Sequence, residues 1–299
     1  MPIGLGRSSG PNFRAGYLRS ALGAVDRRRD LQRSIDALLN GDHEIIDLAR
    51  LRDLISAGVG EVPAECRQTV WALFLGVLPT LRPSWSFVSS QLNDRYLDLS
   101  EAADVLIKAE TKSLCAAKRM RCALKIANEI ERLDNLIPVH DGVLKIFASV
   151  FPDSEAFAFF MYCSYIRSSY QTYSNLSELV FDFCELFDLD FQTVLERNMA
   201  ELGSLVQWWI DSCFVSAKLF GSLLPIWERI VLLQSTHFII SICLALLSCA
   251  RESIMQTDLP VDSISTSVEI AIRDRPVEVV YAKALELDAS LSRRISHNF

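Results

Sequence analysis

Val62-Pro63-Ala64-Glu65-Cys66-Arg67-Gln68-Thr69-Val70-Trp71-Ala72-Leu73-Phe74-Leu75-Gly76-Val77-Leu78-Pro79 is the stretch on which the fold turns. Pro63 can open a helix at its first position, where the missing N–H would be unpaired anyway. Val70, Trp71, Phe74, Leu75, Val77 and Leu78 then supply a broad apolar face at helical spacing, and Pro79 is expected to end it. The pattern predicts a helix deep in a core.

Outward from this stretch the breakers are rare. Between Ser84 and Ile137 there is no Gly and no Pro, and Asp153 to Leu202 is equally free of both. A sheet protein needs turn residues far more often, so long helices are expected. Leu176, Leu179, Val180, Phe183, Leu186 and Phe187 recur at three- and four-residue steps, with Asn175 and Glu178 at capping-box spacing. Phe191, Val194, Leu195, Met199 and Leu202 repeat the pattern, and Gly203 stands where a left-handed C-cap is expected. Val277, Val280, Tyr281, Ala284 and Leu285 mark a last helix.

The apolar run from Phe238 to Ala250 is interrupted by serines and falls short of the about 20 residues a spanning helix needs. It reads as a buried core helix. No strand of alternating polarity competes, and no fixed repeat suggests a solenoid. The class is therefore all-α, with roughly a dozen helices or more at a usual length of about 11 residues. Residues 1–12, rich in Gly, Ser and Pro, are expected to be disordered ahead of a helical domain over 13–295. The weakest internal boundary is 256–266, where Pro260 and several serines interrupt the pattern.

Composition excludes several functions. The 299 residues carry 30 basic and 37 acidic side chains, a net charge of -7 with no dense basic stripe, which argues against nucleic acid as a partner. Arg27-Arg28-Arg29 is flanked by Asp26 and Asp30 and reads as a solvated face. The eight Cys are scattered without a Cys-x-x-Cys pair, and the four His are too dispersed to complete a zinc site. They are expected to be reduced, buried thiols of a cytoplasmic protein. The opening Met1-Pro2-Ile3-Gly4-Leu5-Gly6-Arg7 lacks the apolar core of a signal peptide, and Pro2 breaks the myristoylation pattern. Phosphate loops, dinucleotide fingerprints and nucleophile elbows are all missing from the sequence, so no cofactor is expected.

The stretch 62–79 resembles the first signature of TBC domains, the all-helical modules of many Rab GTPase-activating proteins. That family opens on a Gly-Ile/Val-Pro step, an Arg, then Val-Trp, leucines and a Gly. Pro63, Arg67, Trp71 and Gly76 match, and only the opening Gly is displaced, to Gly60. Downstream, Trp208-Trp209-Ile210-Asp211-Ser212-Cys213-Phe214 and Leu223-Leu224-Pro225-Ile226-Trp227-Glu228 resemble the family's late Trp, Phe and Trp-Asp positions, with Glu228 in place of Asp. The resemblance implies a single multi-helical TBC-type domain. Pro63, Arg67, Trp71, Gly76, Trp208, Phe214, Trp227 and Glu228 are read as its structural signature. Within that set Trp71, Phe214 and Trp227 are core residues, each worth about 3–5 kcal/mol of packing, and Arg67 is an ion-pair or cap partner.

Catalysis in TBC proteins depends on two side chains offered to the bound GTPase. An arginine in an Ile-x-x-Asp-x-x-Arg element neutralises charge on the transferring phosphoryl group, an effect worth about 10³ to 10⁵ in rate. A glutamine in a Tyr-x-Gln element orients the attacking water. Ile126-Ala127-Asn128-Glu129-Ile130-Glu131-Arg132 nearly matches the first, with Glu129 where Asp belongs, so Arg132 is a weak candidate finger against a solvent-facing helical arginine. The second is missing: Gln171 follows Tyr170 directly, and the expected segment runs Val143-Leu144-Lys145-Ile146-Phe147 into Glu155-Ala156-Phe157. An apolar substitute supplies neither a positive charge nor a donor–acceptor pair for water.

Asn12-Phe13-Arg14, Tyr96-Leu97-Asp98, Cys213-Phe214 and Ala282-Lys283-Ala284-Leu285-Glu286-Leu287 resemble a branch of the family that serves the tuberous sclerosis complex without catalysis of its own. That resemblance implies a hamartin-like coiled coil and a tuberin-like subunit as partners, with a Rab or Rheb small GTPase as a further one. It also implies a role in restraining TOR signalling, and recruitment to lysosomal or vesicle membranes through the complex. The alternative from another class is a divergent Rab GTPase-activating protein using Arg132. A TBC-derived scaffold for an unrelated partner is the third reading.

Overall fold

Apolar steps of three and four residues become α-helices wherever the chain is described. The structure is a computed structural model that describes residues 29–57, 62–106, 114–131, 140–172, 176–255 and 264–297. In chain order the helices are α1 (29–40), α2 (Leu48–Ala57), α3 (Ala64–Phe74), α4 (Trp85–Leu106), α5 (Ala116–Glu131), α6 (Asp141–Val150), α7 (Glu155–Thr172), α8 (Leu176–Asp182) and α9 (Leu189–Arg197). There follow α10 (Met199–Asp211), α11 (Leu224–Leu233), α12 (Thr236–Cys249), α13 (Arg251–Met255), α14 (Ile264–Ile272) and α15 (Val277–His297). Among the described residues no β-strand forms; the isolated bridges Ile45–Leu81 and Phe220–Pro276 join loops. Residues 1–12, Gly60, Arg132, the Asn175 cap and most of the boundary at 256–266 lie outside the described residues.

α12 is the axis of the C-terminal half. Every residue from Phe238 to Leu247 is buried, because α8, α10, α11, α13, α14 and α15 all pack against it. A helix apolar all round needs such a sleeve. Ser235 starts it by accepting the Phe238 N–H at 3.3 Å. The N-terminal half is built from α4 lying along α5 and α7, with α6 between α5 and α7. α3 touches both α7 and α11, and so joins the two halves. None of the helices among the described residues is long and apolar enough to cross a membrane.

α3 ends earlier than its apolar pattern suggests. The helix stops at Phe74, and Leu75 to Leu78 fold back beneath it instead of continuing to Pro79. The Val77 N–H donates to the Ala72 carbonyl at 2.8 Å and the Gly76 N–H to Leu73 at 3.1 Å, while Gly76 adopts φ 69°. These two bonds make a Schellman cap, which needs one left-handed residue. α10 ends in the same way with Cys213 at the left-handed position: the Phe214 N–H donates to Trp209 at 2.7 Å and the Cys213 N–H to Ile210 at 2.9 Å. The turn drives the Phe214 ring back into the core, where it is 1% exposed.

Three further expectations are corrected. Gly203 is not a C-cap but sits in mid α10, because the break falls at Asn198. The Asn198 backbone N–H and its side-chain Nδ2 both donate to the Val194 carbonyl, and the Asn198 carbonyl then accepts the first bond of α10 from Leu202. The helix expected over 176–187 stops at Asp182 and passes into a short 3₁₀ turn over Cys184–Leu186. All eight Cys are free thiols, but Cys115 is exposed and Cys122 and Cys249 are half-buried rather than core. Burial pushes the Cys66 thiol up to about 11 and the Cys184 and Cys213 thiols up to about 12.

Gly76→Ala should cost about 1 kcal/mol, the penalty of a left-handed backbone with a Cβ. No atom within 4 Å of the added methyl would raise that figure. A urea midpoint that stays put or rises would contradict the cap. Asp188 gives a pH prediction. It caps α9 by accepting the Phe191 N–H at 3.2 Å and pairs with Arg251. The Arg251 bond first, and the Phe191 N–H second, hold its carboxyl down to about 2. Its contribution is complete above the unfolded range of about 3.9 and is lost as the pH falls through about 2. Asp188→Asn keeps a cap without the charge, so its deficit in unfolding midpoint at neutral pH should disappear on acidification.

Candidate functional site

The matched positions at 62–76 and 208–228 meet around a buried charge. Glu228, 4% exposed, stands on α11 among apolar neighbours. Its Oε2 accepts the Val62 N–H at 2.7 Å, and its Oε1 accepts Arg67 Nε at 2.7 Å. Arg67 Nη2 closes the ring by donating to the Val62 carbonyl at 2.7 Å. Pro63, at the N-cap of α3 with φ -53°, holds the chain extended so that Val62 faces the carboxylate. Burying an ion costs several kcal/mol unless it is paired and hydrogen-bonded. Here both oxygens are used.

One residue from Glu228 and one turn from Arg67, Trp227 and Trp71 enter a cluster of rings, both fully buried. Phe147 of α6 is its hub, with Trp71 at 5.6 Å, Trp227 at 5.8 Å, Tyr165 at 5.9 Å and Tyr162 at 6.1 Å between centroids. Most of these contacts are edge-to-face, the arrangement the ring quadrupoles favour. Trp208 departs from the rest. The signature predicts a structural residue there, yet Trp208 is 46% exposed while Trp209 is fully buried. The buried stripe of α10 is Leu202, Leu205, Val206, Trp209 and Ile210, and a residue one step earlier is turned about 100° away.

A second constellation escaped the sequence. Tyr96 on α4, Arg119 on α5 and Glu155 at the start of α7 form one network. Arg119 Nε donates to both Glu155 oxygens at 2.9 and 3.1 Å, its Nη2 also pairs with Oε2, and the Tyr96 hydroxyl donates to Oε1. Burial, and then the bond to Glu155, push the Tyr96 hydroxyl far above its ordinary range, and the same carboxylate raises Arg119. The network lines an open groove of about 660 Å³ whose other charged walls are Glu101, Asp104 and Asp153. Four carboxylates against one guanidinium already paired with Glu155 make it a poor place for phosphate. No sequence signal brings these three together, because the pairing spans 59 residues. No cluster of three His, Cys, Asp or Glu able to hold a metal occurs among the described residues.

This arrangement of helices has a solved counterpart. The crystal structure of the Ypt/Rab-GAP domain of Gyp1p superposes with a TM-score of 0.62, covering 87% of this chain and 99% of that one. The fold is that of a Ypt/Rab-GAP (TBC) domain. Sequence identity is 13%, so the likeness is one of fold alone. No protein-family profile and no curated protein matches the chain. Arg132 follows Glu131, the last residue of α5, in the sequence and lies outside the described residues. No Gln occurs from 141 to 170, and Gln171 stands at the end of α7 directly after Tyr170. At the corner between α6 and α7 stand Asp153, Ser154 and the ion-paired Glu155.

Glu228→Ala strips the carboxylate that Arg67 and the Val62 N–H share and should cost about 3–5 kcal/mol. In a double-mutant cycle with Arg67→Met, the two losses should couple by more than about 1 kcal/mol. Additive losses in urea unfolding would show that the pair does not act as one unit.

Proposed function

We propose that this chain is a TBC domain without GTPase-activating activity of its own, a subunit that works by binding. One observation carries the reading. The segment in which the TBC resemblance expects a water-orienting glutamine, 143–147 into 155–157, has none, and Glu155 there is a carboxylate already committed to Arg119 and Tyr96. That carboxylate can neither donate to a water nor neutralise a phosphoryl charge. The acidic walls around it oppose the approach of a nucleotide.

The finer reading follows the short patches that resemble TBC domain family member seven, the small third subunit of the tuberous sclerosis complex. Two of those patches have architectural roles here, Tyr96 in the network and Cys213-Phe214 in the cap of α10. On this reading the chain grips the hamartin coiled coil and strengthens the hamartin–tuberin assembly. Tuberin then activates GTP hydrolysis by Rheb and restrains TOR signalling, and the complex carries the chain to lysosomal or vesicle membranes. The second reading, a divergent Rab GTPase-activating protein using Arg132, is favoured by the fold likeness to the Ypt/Rab-GAP domain of Gyp1p.

Single-turnover GTP hydrolysis on a panel of Rab proteins separates the two. No acceleration, or the same acceleration by wild type and Arg132→Ala, is the expected result. Acceleration abolished by Arg132→Ala would establish the enzyme. A pull-down with the hamartin C-terminal coiled coil should retain the chain at micromolar concentration, and failure there would remove the complex from the reading.

A further inference from the structure

α10 carries a second stripe beside its buried one. Ala200, Gly203, Ser204, Gln207, Trp208 and Asp211 recur at three- and four-residue steps and form one wall of a groove of about 610 Å³. Glu178 and Phe181 of α8 stand in the opposite wall. Small side chains open the groove: a Cβ on Gly203 would come within 3.8 Å of the Phe181 ring, so that ring is its floor. At one end Trp208 is 46% exposed, and Met199 beside the other end is 50% exposed. A half-exposed tryptophan next to an open apolar trough is a rigid anchor of the kind that dominates binding energy when covered.

The shape and charge of the trough select its occupant. Gly203 to Gln207 lie in mid α10, where backbone groups are bonded within the helix, so an extended peptide would find no main-chain partner along that wall, whereas a helix brings its own. The stripe from Ala200 to Asp211 runs about 16 Å at 1.5 Å per residue, room for about three turns of a crossing helix. Only two lining residues are charged, Glu178 and Asp211; both are exposed acids. Gln207 Nε2 donates to Asp211 at 2.8 Å and holds that carboxylate on the groove side. We propose that the groove between α8 and α10 docks a basic amphipathic helix of a partner protein, its apolar stripe on Trp208 and Phe181 and its Lys or Arg side chains toward Glu178 and Asp211. The proposal rests on the reading of the chain as a binding domain and adds the place and the chemistry of the partner.

The test uses the full chain and two synthetic helical peptides, one of alternating Leu and Lys faces and its counterpart with Glu for Lys, titrated by fluorescence anisotropy at physiological salt. The Leu–Lys peptide should bind at micromolar concentration and the Leu–Glu peptide at least tenfold more weakly. Trp208→Ala should weaken the Leu–Lys complex at least tenfold. Ser204→Arg, which sets a cation across the floor from an exposed position, should abolish it. Glu178→Lys combined with Asp211→Lys should reverse the preference. Unchanged thermal midpoints confirm that each variant is folded. Equal binding by Trp208→Ala, equal affinity for both peptides, or no binding would overturn the proposal. So would a concentration-dependent dimer of the chain that Trp208→Ala dissolves, which would put a second copy in the groove. A chain that takes the Leu–Lys peptide but not the hamartin fragment keeps the groove and loses the hamartin reading; the opposite pattern does the reverse.

Discussion

Everything in this fold has to accommodate one carboxylate that water cannot reach. Glu228 is set in an apolar helix, and the Val62 N–H and the Arg67 guanidinium offset the cost of its burial. Those two groups lie more than 160 residues away in sequence, so α3 must arrive beside α11 before the charge can be buried. Once it does, Trp71 and Trp227 are both brought edge-to-face against Phe147, and α6 has its place. A directional pair thus decides which faces meet, and dispersion and apolar burial then supply most of the energy.

None of these supports borrows a group that GTP hydrolysis would need. The clamp uses Val62, Arg67 and Glu228, the ring cluster uses aromatic residues, and the caps of α3 and α10 use backbone N–H groups. Arg119 could have offered a cation at the corner of α6 and α7, but Glu155 occupies its Nε and Nη2. The frame can therefore stand whether or not a water-orienting amide is present. The acidic corner around Glu155 and the second stripe of α10 are surface that none of these supports uses.

Helix identity was readable from the spacing of apolar residues because burial acts on that period wherever the chain runs. The continuous burial of Phe238 to Leu247 follows from an apolar run too short for a membrane. Ends were harder. Leu75 to Leu78 kept the apolar pattern although Gly76 had already reversed the chain, since a Schellman turn also points an apolar residue inward. Gly203 looked like a stop and was a spacer, because the real break needed only the local bonds of Asn198. Trp208 and Trp209 differ by one step and by the whole depth of the core.

The pattern of residues alone determined the all-helical class, the aromatic core positions Trp71, Phe214 and Trp227, and the missing glutamine between 141 and 170. These are local properties, written in period, volume and residue type. Tertiary structure alone decided that Arg67 and Val62 share Glu228, that Arg119 is spent on Glu155, and that α8 meets α10 with Trp208 on its rim. Each of those depends on side chains brought together from distant parts of the chain, and loop closure leaves no trace in the spacing of either partner.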